Sequence, residues 1–205
     1  MQASIESNVT RGYGLLEGFL ANQRVKIANQ LIPTEHRKGN ILDIGCGSYP
    51  LFLTSTEFAN KYGLDKVVKT EAINSFNQKQ INLINHDNEL ENKLPFENNF
   101  FDVITMLAVF EHIEPAKLPS LLSEIHRVLK PGGVYILTTP AVWTDGLLRF
   151  LAKIRLVSPA EIEEHKDAYN FSKIAQFLTQ GGFTKQKMQF GHFELFMNIW
   201  ATARK

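Results

Sequence analysis

Short apolar runs separated by stretches of helical spacing make up most of the chain. Asn40-Ile41-Leu42-Asp43-Ile44, Tyr62-Gly63-Leu64-Asp65, Ile81-Asn82-Leu83-Ile84, Phe101-Asp102-Val103-Ile104-Thr105 and Val134-Tyr135-Ile136-Leu137 read as strands. Between them, Leu118, Leu121, Leu122, Ile125, Val128 and Leu129 fall on one face of a helix that Lys130-Pro131-Gly132-Gly133 ends. Alternating strands and helices predict an α/β domain with a parallel sheet. Upstream, Leu15, Leu16, Phe19, Leu20, Val25, Ile27 and Leu31 predict one or two N-terminal helices before Pro33. Pro50 suits the opening of a helix just after the first strand. Two last strand-like segments, about 184–190 and 195–203, joined through Gly191-His192, predict an antiparallel C-terminal strand pair.

The chain's 205 residues fit one domain, which at this size buries roughly 70% of the surface its unfolded form exposes. Four parts are expected: a helical cap over 1–36, a core over 37–140, a variable insertion over 141–168, and a helix with the strand pair over 169–205. With 22 basic against 21 acidic residues the net charge is +1, so no global field holds a polyanion and no nucleic-acid partner is expected. The single cysteine, Cys46, cannot pair within the chain, and no stretch has the order of a secretory signal, so the expected setting is cytoplasmic. No apolar run reaches the roughly 20 residues that cross a bilayer.

Gly45-Cys46-Gly47 directly follows a strand, and glycine there lets the backbone approach a ligand at angles a β-carbon forbids. A plain tight turn explains the loop as well. Asp65 closes the next strand 18 positions beyond Gly47, near the ~20-residue offset at which an acid meets ribose hydroxyls in nucleotide-binding α/β folds. A nicotinamide fingerprint wants glycine at position 50, where this chain has Pro50, which weakens an NAD-dependent oxidoreductase reading.

Three segments in order carry a resemblance. Ile41-Leu42-Asp43-Ile44-Gly45-Cys46-Gly47 resembles the first motif of class I S-adenosylmethionine-dependent methyltransferases. Leu94-Pro95-Phe96-Glu97-Asn98-Asn99-Phe100-Phe101-Asp102-Val103 resembles the entry to their fourth strand, and residues 124–133 resemble the helix and turn before their fifth. The likeness covers about 38–140 and leaves Met1 to Ile32 and Val142 to Lys166 unmatched. Thr105-Met106-Leu107 and Glu111-His112 are most similar to small-molecule O-methyltransferases of quinone biosynthesis. The resemblance implies a Rossmann-like three-layer sandwich with a mostly parallel seven-stranded sheet, S-adenosyl-L-methionine as cofactor and S-adenosyl-L-homocysteine as product. It implies that Asp43 and the Gly45-Cys46-Gly47 backbone face the methionyl part and that Asp65 takes the ribose hydroxyls. Asp87, at the end of the third strand, would accept from the adenine amino group beside the Asn88 backbone, and Met106, Leu107 and Ala108 would line the methionyl end.

For the acceptor, His112 lies just beyond the fourth strand, at the sheet edge where ligands bind in open α/β folds, and a histidine takes a proton near neutral pH. A helix-start residue bonded to backbone or Glu111 is the alternative. His165 and Tyr169 read as a solvated helix face, and Tyr13 as helix packing or a lid. Residues 143–156 combine apolar positions with Arg149, Lys153 and Arg155, as a helix packed on the sheet or a peripheral membrane contact would. None of the six histidines has zinc-site spacing, so no metal is expected. Phe190, Phe193, Phe196 and Trp200 fit a strand pair on the core or an oligomer surface, leaving the oligomeric state open. The expected partner is a small-molecule acceptor, probed against two alternatives: the oxidoreductase and a cofactor-binding regulator without turnover.

Overall fold

The computed structural model describes residues 17–88, 91, 93–144 and 166–205. Helix α1 (Glu17–Leu31) precedes β1 (Asn40–Ile44), α2 (Leu51–Thr54), β2 (Asn60–Asp65), α3 (Thr70–Asn77) and β3 (Ile81–Asn85). Then come β4 (Phe101–Leu107), α4 (Leu118–Val128), β5 (Leu129–Pro140), α5 (Phe171–Gln180), β6 (Met188–Phe193) and β7 (Asn198–Arg204). One seven-stranded sheet runs in the order β3-β2-β1-β4-β5-β7-β6. Strands β1 to β5 are parallel where they pair, and β7 runs antiparallel to both β5 and β6. The order reverses between β1 and β4, so the chain leaves the centre twice in opposite directions and opens a crevice at the carboxyl ends of these strands.

Central strands buried on both faces need apolar residues at successive positions, and the period of two sends them to opposite layers. Leu42, Ile44, Ile104, Met106, Tyr135 and Leu137 pack with Leu118, Leu122 and Ile125 of α4 and Ile174 and Leu178 of α5. Ile41, Val103, Val134 and Ile136 pack with Ala28 of α1, Phe52 and Leu53 of α2 and Phe76 of α3. The result is helix, sheet and helix in three layers.

Two boundaries differ from the sequence reading. Strand β5 begins at Leu129, immediately after the helix, and not at Val134. Leu129 pairs with Phe101 and Val134 with Val103, so Lys130 to Gly133 form a bulge within the strand, with Gly132 at φ +79°. Lys130 Nζ and the Asn40 amide both donate to Asp102 Oδ2, at 2.7 and 2.8 Å, fastening that bulge to the start of β1. The C-terminal hairpin turns at Glu194, Leu195 and Phe196, all with positive φ, while Gly191 and His192 lie inside β6. Gly191 is there for packing: a β-carbon would sit 2.4 Å from a ring carbon of Trp200. Tyr13 and residues 145–165 of the insertion, His165 among them, lie outside the described residues.

Candidate active site

At the carboxyl end of β1, Asp43 is flanked in register by Gly63 of β2 and Thr105 of β4. Its carboxylate is 4% exposed, and the Thr105 hydroxyl donates to Oδ1 at 2.7 Å. Burial pushes its pKa up to about 7; the Thr105 bond opposes this and the nearby charge of Asp65 adds to it. The chain then turns through Gly45 (φ +78°) and Gly47 (φ +70°), and the amides of Gly45 and Cys46 both donate to Leu64 O, at 2.7 and 3.2 Å. A β-carbon at Gly45 would lie 2.3 Å from a Val109 methyl, so only glycine brings this turn against the loop after β4.

Asp65, at the end of β2, accepts from the Gly47 amide at 2.9 Å and the Val67 amide at 3.0 Å, one on each oxygen. These two bonds orient the carboxylate. Cys46 is buried, with its thiol pushed well up first by burial and then by Asp43 and Asp65, which makes it a packing residue rather than a nucleophile. Pro50 precedes an α2 of four residues. A single turn has little macrodipole, so the helix terminus that grips a pyrophosphate in dinucleotide folds is not built here.

Strand β3 ends at Asn85, so Asp87 lies two residues past it, in the loop. The Asn85 side chain donates to Lys66 O and Val68 O at 3.1 and 2.8 Å, tying this loop to the one that carries Asp65. The Asp87 amide donates to Glu91 Oε1 at 3.3 Å, and Asn88 Oδ1 is buried with no partner among the described residues. Sequence reading missed His86, which is buried with Nδ1 at 3.1 Å from Glu91 Oε1. The polar run Asn85-His86-Asp87-Asn88 was its only signal.

Met106 is fully buried and its sulfur accepts from Tyr135 at 3.4 Å, so only its backbone is turned toward the site. Ala108 adopts φ +55°, held by its amide donating to Thr138 O at 3.0 Å and Thr138 Oγ1 at 3.1 Å. Thr138 is thus a supporting residue that no motif marked. His112 ends the short turn Phe110–His112 beyond β4, half-buried, with its amide donating to Val109 O at 2.9 Å. Tyr169 is not on a solvated helix face. It is fully buried, bridged to Ala141 at the end of β5, with its ring 4.8 Å from that of Phe110. Glu111, given no role of its own by the sequence, is 2% exposed beside it.

The glycine turn, Asp43, Asp65, the loop after β3 and the loop after β4 therefore stand side by side at the carboxyl ends of adjacent strands. The orphaned Asn88 oxygen suits a ligand with a hydrogen-bond donor at that place. Among the described residues, no group of three His, Cys, Asp or Glu side chains is placed to hold a metal ion. No helix among them is long and apolar enough to cross a membrane.

The methyltransferase-domain pattern matches residues 17–187. The chain belongs to that family. Its fold is that of class I S-adenosylmethionine-dependent methyltransferases: a SAM-dependent methyltransferase from Archaeoglobus fulgidus superposes with TM-score 0.65 at 17% identity, covering 91% of this chain and 94% of that one. Among curated relatives, a Drosophila melanogaster tRNA N(3)-methylcytidine methyltransferase is 31% identical over 121 residues, 54% of this chain and 37% of the relative. A ubiquinone/menaquinone biosynthesis C-methyltransferase from Desulfotalea psychrophila is 45% identical over 51 residues, 24% of this chain and 20% of the relative. The matches span between a third and a half of the length of the first curated relatives. The quinone likeness therefore rests on a short segment.

Proposed function

We propose that this chain, acting as one domain, binds S-adenosyl-L-methionine in the crevice and transfers its methyl group to a small-molecule acceptor, on oxygen. The observation that carries the reading is the convergence of two carboxylates, Asp43 and Asp65, on a turn that only glycines allow. Asp43 faces the methionyl end, Asp65 orients the ribose, and the loop at Asp87 and Asn88 receives the adenine. When bound, the cofactor supplies a methyl group already activated on a sulfonium. The protein has to align the acceptor behind that methyl, and orientation alone supplies ~7–11 kcal/mol in favourable cases. A hydroxyl acceptor also loses a proton, for which His112 is placed just past β4.

His112→Ala is expected to leave cofactor affinity near that of the wild type and to lower turnover by roughly 10²–10⁴-fold, the usual range for a positioned acid or base. Radiolabelled methyl transfer to a small-molecule extract, alongside cofactor titration, measures both; unchanged turnover removes His112 from the chemistry. The relative that acts on tRNA supports a second reading, a nucleic-acid acceptor. A net charge of +1 opposes it, and label transferred to total tRNA instead of to small molecules would decide for it. Cofactor binding without transfer to either pool would favour a regulatory protein. The lone, buried Cys46 suits a reducing, cytoplasmic setting.

A further inference from the structure

Three buried polar atoms without a hydrogen-bond partner among the described residues fall in neighbouring segments, the turn after β4, the end of β5 and the stretch before α5: Glu111 Oε2, Thr139 Oγ1 and Tyr169 Oη. Along β5 the alternation puts Thr139 on the same face as Tyr135 and Leu137, the face that packs with Phe110 and Tyr169. Tyr169 is held there by its bridge to Ala141 and by the Val142 amide, which donates to its carbonyl at 3.2 Å. Glu111 is tied to the same region by the Lys166 amide, which donates to its carbonyl at 2.8 Å. Buried polar groups are paired in nearly all native structures, so three unmet ones together call for a ligand.

The electrostatics say which kind. Burial, and after it the charges of Asp167, Glu111 and Glu114, hold the Tyr169 phenol well above its ordinary pKa, so it stays protonated and the field at this spot is negative. Two cations near it among the described residues face acids: Lys166 Nζ is 3.1 Å from Glu114, and Lys173 pairs with Asp167. Among the described residues, Glu111 Oε2 has no hydrogen-bond partner.

We propose that Glu111, Thr139 and Tyr169 form an acceptor subsite that reads a protonated amine on the molecule being methylated. The ammonium donates to Glu111 Oε2 and Thr139 Oγ1, and the Tyr169 hydroxyl bonds a neighbouring polar atom. The methylated oxygen then lies elsewhere on the same molecule, toward His112, which makes the acceptor a hydroxylated amine and excludes anionic analogues. This rests on the methyltransferase reading above and adds the acceptor class to it.

The test compares tyramine with 4-hydroxyphenylacetate, the same phenol carrying an ammonium or a carboxylate, by calorimetric titration into protein saturated with S-adenosylhomocysteine. Tyramine is expected to bind at least tenfold more tightly, and Glu111→Gln to abolish that preference. Because it removes an unmet hydroxyl, Tyr169→Phe is expected to melt at or above the wild-type temperature, which a structural role would not allow. Equal or reversed preference in the wild type, no tyramine binding, or a lowered melting temperature with tyramine affinity unchanged each overturns the subsite. Failure to bind S-adenosylhomocysteine, measured first, instead overturns the methyltransferase reading and the subsite with it.

Discussion

Asp43→Asn is expected to make the protein more stable at pH 8 while weakening its hold on S-adenosylmethionine. In the fold this carboxyl has a pKa of about 7 against 3.8 for the free group, because burial and the charge of Asp65 outweigh the Thr105 hydrogen bond. Between about pH 4 and pH 7 the folded state therefore keeps a proton that the unfolded chain has lost. Stability then falls as pH rises through that window, by up to about 1.4 kcal/mol per pH unit and about 4 kcal/mol in all. Asparagine carries no charge to desolvate and still offers Thr105 an oxygen, so its stability profile flattens there. Urea unfolding at pH 5 and pH 8 reads this directly, and parallel profiles for the two proteins would contradict it.

The same residue has a ligand side. A cationic cofactor favours ionised Asp43, so binding at pH 7 releases a proton, and the heat of binding depends on the ionisation heat of the buffer. A charge-assisted hydrogen bond is worth roughly 1.5–3 kcal/mol, so the asparagine variant loses about 10- to 100-fold in affinity. On the proposed reading, stability is given up to keep an acid beside a positive ligand.

The second large effect is expected at Asp65. Its carboxylate orients the glycine turn through Gly47 and the start of the next loop through Val67, and alanine leaves both amides without that acceptor. Losing this scaffold together with the proposed charge-assisted bonds to a ribose diol is expected to lower cofactor affinity by roughly 10²–10³-fold. Asp65 also raises the pKa of Asp43, so Asp65→Ala shifts the pH-dependent loss of stability to lower pH. The two substitutions are then non-additive in a double-mutant cycle read by cofactor titration and unfolding. Additive effects would show that the two acids do not act on one loop.

Much of this was visible in the chain itself. The parallel strands announce themselves because strands buried on both faces must be apolar at successive positions, and Asp43, Gly45, Gly47 and Asp65 stand at strand ends with telling spacing. What escaped depends on contacts between distant segments. Gly191 resembles a turn glycine, but the Trp200 ring lies against it, so the hairpin turns three residues later at Glu194. Lys130-Pro131-Gly132-Gly133 has the composition of a loop, yet pairing on both sides makes it a bulge within β5. Tyr169 follows a charged stretch and looks solvated, until Phe110, from a turn nearly sixty positions earlier, closes over it. Glu111 stands out only as the neighbour of His112 in a family-like pair, with no role of its own. Its meaning lies in a carboxylate oxygen that the fold buries and leaves unmet.

The most direct test of the cofactor assignment is isothermal titration of the wild-type protein with S-adenosylmethionine and S-adenosylhomocysteine, with NAD as the control and Asp65→Ala in parallel. Saturable binding of both sulfur cofactors, weakened in the variant and absent for NAD, is the expected result. No binding of either, or tight binding of NAD in their place, would contradict it.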